Sequence, residues 1–252
     1  MCTMTWFKSE QGYELFFNRD EQKTRSRATL PSIQTQHGLK LISPTDEDAG
    51  GSWIAVNQFG VTVSLLNHYQ YEQIATYQEW VSRGHIVRKF ATTRTIKEAK
   101  VQFKKLNLSD YRAFRMFIVE RSGSNALFVW DGHQSRVEYD VTMPKTSSSV
   151  NAQQVKAARM DAFKDLKLAQ SNNVEDYIKF HTSHLPTKSE QSVCMHREDA
   201  SSVSLSHISV NAKTVEFSYA DGAPCKTKLA PALVIDLIDV EDLPVISLAS
   251  AR

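Results

Sequence analysis

The sequence predicts an α+β fold built from antiparallel hairpins, and three observations carry that reading. Runs of β-forming residues come in adjacent pairs joined by short turns; the helical segments fall between those pairs instead of alternating singly with strands; no internal repeat stands out. At 252 residues and 41% hydrophobic content the chain is long enough for one large domain with a substantial core, taken as residues 1–252.

Residues 3–8 and 13–17 are rich in β-formers, and Ser9 to Gly12 supply the turn, with Gly12 read as its positive-φ position. Residues 50–69 read as a strand, a tight turn ending in Gly60 and a second strand ending at Asn67. Both strands are largely apolar, as expected of strands covered on two faces. Residues 70–77 lack a clean period and read as loop, and 84–90 begin an amphipathic segment. Residues 95–105 set Ile96, Ala99, Val101 and Phe103 among lysines and predict a helix.

Residues 114–120 then pair with 126–131 across a glycine turn at Gly123. Ser147, Ser148 and Ser149 read as a loop and helix N-cap region. A helix over 151–167 carries Val155, Ala158, Ala162, Phe163 and Leu166, and a second covers about 174–181. Residues 186–191, polar and bounded by Pro186, are expected to be the most mobile loop. Val203, Leu205, Ile208 and Val210 lead through Asn211 to Val215, Phe217 and Tyr219, a closing hairpin.

Composition excludes several function classes. Thirty Lys and Arg against 28 Asp and Glu give a net charge of +2, which makes no case for nucleic-acid binding. No window approaches the roughly 20 apolar residues of a membrane span, and the amino terminus lacks the basic and apolar stretches of a secretory signal. The three cysteines, Cys2, Cys194 and Cys225, are too few and too scattered for a disulfide framework, so a reduced cytoplasm is the expected setting. Oligomeric state is not legible.

The chemistry concentrates in the first 21 residues. If Met1 is removed, Cys2 offers a thiol and a free α-amine on one residue, the construction of an N-terminal nucleophile. An unperturbed thiol has a pKa near ~8.5 and needs a base or cation to favour the thiolate, while an α-amine near ~8 can act as an internal base. The opening hairpin returns Asn18, Arg19, Asp20 and Glu21 beside the first residues. Arg19 can stabilise a thiolate or a substrate carbonyl, and Asp20 can hold the amine. Spacing alone leaves a second reading open, in which a second-position cysteine precedes an ordinary solvated turn. Asn67 favours the first, because an amide ending a buried strand must find partners or face a ligand, as an oxyanion donor does.

The segments 1–3, 12–21, 50–56, 66–69 and 82–84 together resemble the NRDE family, also called the transport and Golgi organization family. The likeness extends more weakly to residues 147–149 and 194–200. It implies an αββα four-layer sandwich of the N-terminal nucleophile hydrolase type, mainly antiparallel, similar to choloylglycine hydrolases and penicillin acylases. By that resemblance Cys2 is the nucleophile, Arg19 and Asp20 are its partners, and Asn67 supports the oxyanion. Substrate contacts fall to Asn18, Trp53, His68, Ser148 and Ser149. The chain departs from the pattern where relatives carry Ser-Asn before the central helix and Thr-Arg-Ser late in the chain. Here those places hold Ser147-Ser148-Ser149, with Asn151 as the nearest amide two positions on, and Ser201-Ser202-Val203-Ser204, where the expected cation is missing.

The resemblance implies a hydrolase of a small nonpeptide amide or acyl compound with no required cofactor. The alternative is a noncatalytic protein of haem or acyl-lipid handling on the same scaffold, with haem as ligand. His68 can serve an iron, a substrate or simply a satisfied polar niche, the last being the ordinary case. Trp6 and Trp53 are core or pocket lining. No metal site is expected. His181 and His184, three apart, lack a third ligand, and Cys194 and His196, two apart, alternate to opposite faces if their segment is a strand.

Overall fold

A computed structural model describes residues 1–69 and 79–239. Seventeen elements follow in order: β1 (Cys2–Ser9), β2 (Gly12–Gln22), β3 (Thr29–Gln36), β4 (Leu39–Thr45), β5 (Ile54–Asn57), β6 (Thr62–Asn67), α1 (Gly84–Phe90) and α2 (Ile96–Lys104). Then come β7 (Phe114–Val119), β8 (Asn125–Trp130), β9 (Ser135–Tyr139), β10 (Lys145–Ser147), α3 (Ala152–Asp165), α4 (Val174–Thr182), β11 (Ala200–Val210), β12 (Thr214–Asp221) and β13 (Leu233–Asp236). Residues 70–77, expected as loop, lie outside the described residues.

The strands form two sheets, one of six in the order β10-β1-β2-β11-β12-β13 and one of seven in the order β3 through β9. Every pairing between them is antiparallel. Side-chain alternation sorts the apolar residues into three layers of packing. Leu15, Phe17, Phe117, Val119, Leu127 and Val129 join one cluster between the sheets. The intervening residues Met116, Ile118 and Phe128 pack with Ile86, Phe90 and Phe103 of α1 and α2. On the opposite side Phe16 meets Phe163, Tyr177 and Phe180 of α3 and α4. The result is the four-layer αββα sandwich, and it explains why these strands read as continuous apolar runs: both faces are covered.

Four readings change. Gly12 does not have positive φ; the turn is the two residues Glu10 and Gln11, and Gly12 is required because a Cβ there would lie 2.0 Å from the Val210 carbonyl of β11. Ser147 belongs to β10 and pairs with Cys2, so the serine run is a strand end, and α3 follows Asn151, whose side chain makes no capping bond. The loop at 186–191 is tied down by Arg159, which donates to the Glu190 and Gln191 carbonyls at 3.1 and 3.4 Å. The β3–β4 hairpin has no counterpart in the sequence reading, because β3 is mostly exposed and lacks an apolar alternation. No helix among the described residues is long and apolar enough to cross a membrane.

Candidate active site

The β1–β2 register sets Cys2 opposite Arg19, and β10 brings Ser147 to its other side. Cys2 therefore sits between two strands at one end of the sheet, where a cavity of about 570 Å³ opens. Cys2, Arg19, Asp20, Trp53, Asn67 and Ser149 all line it, so six of the residues singled out in the sequence converge there. Three others do not reach it. Asn18 is fully buried and spends its amide on the His181 and Val193 carbonyls, at 2.8 and 3.1 Å. The Ser148 hydroxyl lies within hydrogen-bond reach of the Met1 sulfur and the Val150 carbonyl and faces a small neighbouring pocket. His68 is buried beyond β6, its backbone N–H bonded to the Ala113 carbonyl, outside the cavity lining.

Met1 lines the cavity beside Cys2. Its α-amine donates to the Asp20 carbonyl at 3.1 Å, and the Asp20 N–H donates back to the Met1 carbonyl at 2.9 Å. Burial pulls this amine down, but Cys2, Tyr69, Asp20 and Glu21 together hold it above its ordinary value. Burial pushes the Cys2 thiol up, against the opposing pull of the amine and of Arg19. With Met1 in place the thiol is thus kept in its protonated, weakly nucleophilic form.

Arg19 is held by its surroundings and does not swing freely. Its guanidinium lies 4.5 Å above the Trp53 ring and bonds Glu21 at 3.1 Å and Asp46 at 3.0 Å. Arg25 shares Asp46 at 2.9 Å. Asn67 lines the cavity with its amide donating to the Tyr69 hydroxyl at 2.7 Å. The indole N–H of Trp53 is buried and has no hydrogen-bond partner among the described residues.

The Asp20 carboxylate is satisfied from two sides. Ser202 donates to it at 2.5 Å, and the Arg159 guanidinium reaches its other oxygen at 3.5 Å. Arg159 also donates to the Thr3 hydroxyl on β1. The cation missing from residues 201–204 is therefore supplied next to Asp20 by α3. Its signal was present in the sequence: Arg159 follows Val155 by four and precedes Ala162 and Phe163 by three and four, on the helix's buried face.

Arg83, part of the segment 82–84 that carries the resemblance, and Arg112 have no role in the sequence reading. Both line the cavity, and neither joins an ion pair among the described residues. Burial first, and then the like charge of Arg112, pull the Arg83 guanidinium below its ordinary value. Arg83 is fixed where α1 docks against the approach to β5: a Cβ on Gly51 would come within 2.6 Å of Gly84 backbone, and the Ser52 N–H bonds the Gly84 carbonyl at 3.1 Å. Arg83 itself donates to the Ala113 carbonyl at 3.0 Å.

Away from the cavity, His184, Cys194, His196 and Cys225 bring one donor atom each within 4.8 Å of one another. This overturns the expectation that Cys194 and His196 point to opposite sides. Residues 191–195 are irregular and not a strand, so alternation does not apply, and the Cys194 sulfur lies 3.5 Å from His196 Nε2. His181 takes no part; it turns inward to Thr5 and Asn18 at 2.7 and 3.0 Å.

Three solved structures share this architecture. An N-acylethanolamine-hydrolyzing acid amidase ortholog from Caenorhabditis elegans is similar at 11% identity and a TM-score of 0.61, over 92% of this chain and 100% of that one. The C2A mutant of conjugated bile acid hydrolase from Clostridium perfringens is similar at 11% identity and a TM-score of 0.56, over 94% and 97%. Penicillin V acylase from Agrobacterium tumefaciens is similar at 13% identity and a TM-score of 0.51, over 93% and 86%. At these identities the likeness establishes the N-terminal nucleophile hydrolase-like fold. No curated protein matches the sequence. The family model described as Transport and Golgi organisation 2 matches residues 1–222, and the chain belongs to that family.

Proposed function

We propose that this protein is a cysteine amidohydrolase of the N-terminal nucleophile type, acting on a small nonpeptide amide that carries an anionic group. The observation that carries this reading is the shared cavity of Cys2 with Arg19, Asp20 and Asn67, at the end of a sandwich similar in fold to amidases and acylases. Removal of Met1 would release the Asp20 carbonyl from its present contact, open the space Met1 fills and give Cys2 its own α-amine. That amine takes the thiol proton, and the thiolate attacks the substrate carbonyl. Asn67, turned from Tyr69, stabilises the oxyanion as the tetrahedral intermediate forms. Collapse breaks the C–N bond, with the ammonium of Cys2 returning its proton to the leaving amine. Water then hydrolyses the thioester and restores the thiol.

The anionic preference follows from Arg83 and Arg112, cations facing the cavity without a carboxylate to neutralise them among the described residues. The same pair suits the carboxylates of haem or the phosphates of acyl-CoA. A noncatalytic carrier of such ligands is accordingly the second reading. One experiment separates the two: protein with Cys2 at its amino terminus is incubated with a panel of N-acyl compounds bearing carboxylate or phosphate groups. Hydrolysis lost in Cys2→Ser supports the amidohydrolase. Saturable binding of haem or acyl-CoA unchanged by Cys2→Ser, with no turnover of any panel member, overturns it in favour of the carrier.

A further inference from the structure

Four side chains from three separate segments meet just outside the cavity lining. His184 follows α4, Cys194 and His196 lie in the irregular run before β11, and Cys225 lies in the turn after β12. The convergence centres on one atom. His196 Nε2 lies 3.2 Å from His184 Nε2, 3.5 Å from the Cys194 sulfur and 3.4 Å from the Cys225 sulfur. A ring nitrogen carries either one proton or one lone pair, so it can satisfy one hydrogen bond well, not three. Hydrogen bonding therefore does not account for the cluster.

Tetrahedral coordination does. With Zn–N bonds of about 2.0–2.1 Å and Zn–S bonds of about 2.3 Å, the edges of a tetrahedron come to about 3.4 Å between two nitrogens and about 3.5 Å between nitrogen and sulfur. The three separations at His196 Nε2, 3.2, 3.4 and 3.5 Å, are close to those edges, and all four donor atoms lie within 4.8 Å of one another. A disulfide between the two cysteines would explain neither imidazole.

We propose that His184, Cys194, His196 and Cys225 bind one zinc ion in a closed tetrahedral site that organises the segment between α4 and β11. Two thiolates and two imidazoles are the donor set that zinc favours in structural sites, and four protein ligands leave no open position for chemistry. Each cysteine gives up its proton to solvent as zinc binds, so the site forms with release of two protons and without redox change. The site also has a consequence for the cavity. Met195, between two of the ligands, lines the cavity, and its backbone is clamped to Ser202 in both directions at 2.8 Å. Ser202 in turn donates to Asp20. Zinc would thus hold a cavity wall and one of the supports of Asp20, which makes the ligands positioning residues.

The test uses the full chain purified anaerobically without chelator. Elemental analysis should give one zinc per chain, and replacement by cobalt(II) should give the thiolate charge-transfer band and intense visible bands of a tetrahedral site. Cys225→Ser should lose zinc to a chelator at concentrations more than about 100-fold lower, beyond the 10–100-fold loss typical of a partner outside the coordination sphere. The wild-type cobalt spectrum does not depend on whether any variant folds. A weak octahedral spectrum, zinc well below one per chain with both thiols free, a preference for copper(I), or a Cys194–Cys225 disulfide would each overturn the proposal.

Discussion

Arg159 and Asp20 form an ion pair with both side chains fully buried, joining α3 to the strand that carries the candidate site. Neither charge reaches water, so each depends on the other and on Thr3, Ser202 and the Glu190 carbonyl for its solvation. Removing one partner leaves an uncompensated buried charge, at a typical cost of about 3–5 kcal/mol. Arg159→Met should therefore lower stability by about that amount in urea unfolding. Adding Asp20→Asn should return much of the loss, since the double variant buries no lone charge. Equal stability of Arg159→Met and wild type would show that the pair contributes nothing.

The second expectation concerns the thiol at the chain's start. With Met1 present, burial raises the Cys2 pKa, so the thiolate fraction at neutral pH is smaller than in a free cysteine. Alkylation of Cys2 in Met1-retaining protein should be slow at pH 7 and rise steeply as pH increases. Protein trimmed to Cys2 should react faster at pH 7 by about tenfold or more, because one unit of pKa changes the thiolate fraction by about that factor. Peptide mapping by mass spectrometry assigns the adduct; equal rates in the two forms would remove the activating role of trimming.

The opening hairpin was legible because its physics is local. Two β-rich runs and a short turn are enough to return Asn18, Arg19 and Asp20 beside Cys2, and the structure then sets Arg19 directly across from it. Gly12 was correctly marked as special for the wrong reason, since the carbonyl that demands it comes from Val210, far along the chain. Arg159 escaped because its partner Asp20 is 139 residues away, although its place on an apolar helix face pointed to burial. The four-residue cluster escaped for a similar reason. Cys225 lies 29 residues beyond His196, and a strand was assumed where the chain is irregular. Local spacing reveals pairs within one element; donors gathered from three segments become visible only after the chain has folded.

His181 supplies a pH-dependent term in stability. Burial first, then the charges of Arg159 and His207, lower its pKa from 6.5 to about 3. Its ring is held by Thr5 and Asn18, stacks on Phe16 and meets Phe180 edge to face. The folded chain thus keeps His181 neutral while the unfolded chain protonates below about pH 6.5. More protons on the unfolded state means that stability rises with pH in this window. It is fully present above pH 6.5 and is lost as pH falls toward about 3. His181→Gln should be less stable at pH 7 yet show a slope between pH 6 and 4 that is flatter by up to about 1.4 kcal/mol per pH unit. Urea midpoints measured across that range decide it, and parallel curves would show that His181 is protonated in the folded chain.

Arg83 and Arg112 give the most direct handle on ligand chemistry. Because both line the cavity and neither is paired with a carboxylate among the described residues, an anionic group arriving there gains charge-assisted hydrogen bonds beyond the one Arg83 gives to the Ala113 carbonyl. Truncating one such donor typically costs about 1.5–3 kcal/mol, or roughly 10–100-fold in affinity. Arg112→Ala should therefore raise KM for an anionic amide by roughly that factor while changing kcat little, since the contact is made equally in ground and transition states. Arg83→Lys should retain part of the affinity, because charge persists while the planar fork is lost. Raising the salt concentration should weaken the wild type more than Arg112→Ala, as one of two screened attractions is already gone. A neutral substrate bound equally by all three proteins, with the anionic one unaffected by either substitution, would assign the two arginines to the scaffold and leave the cavity's selectivity to Arg19 and Trp53.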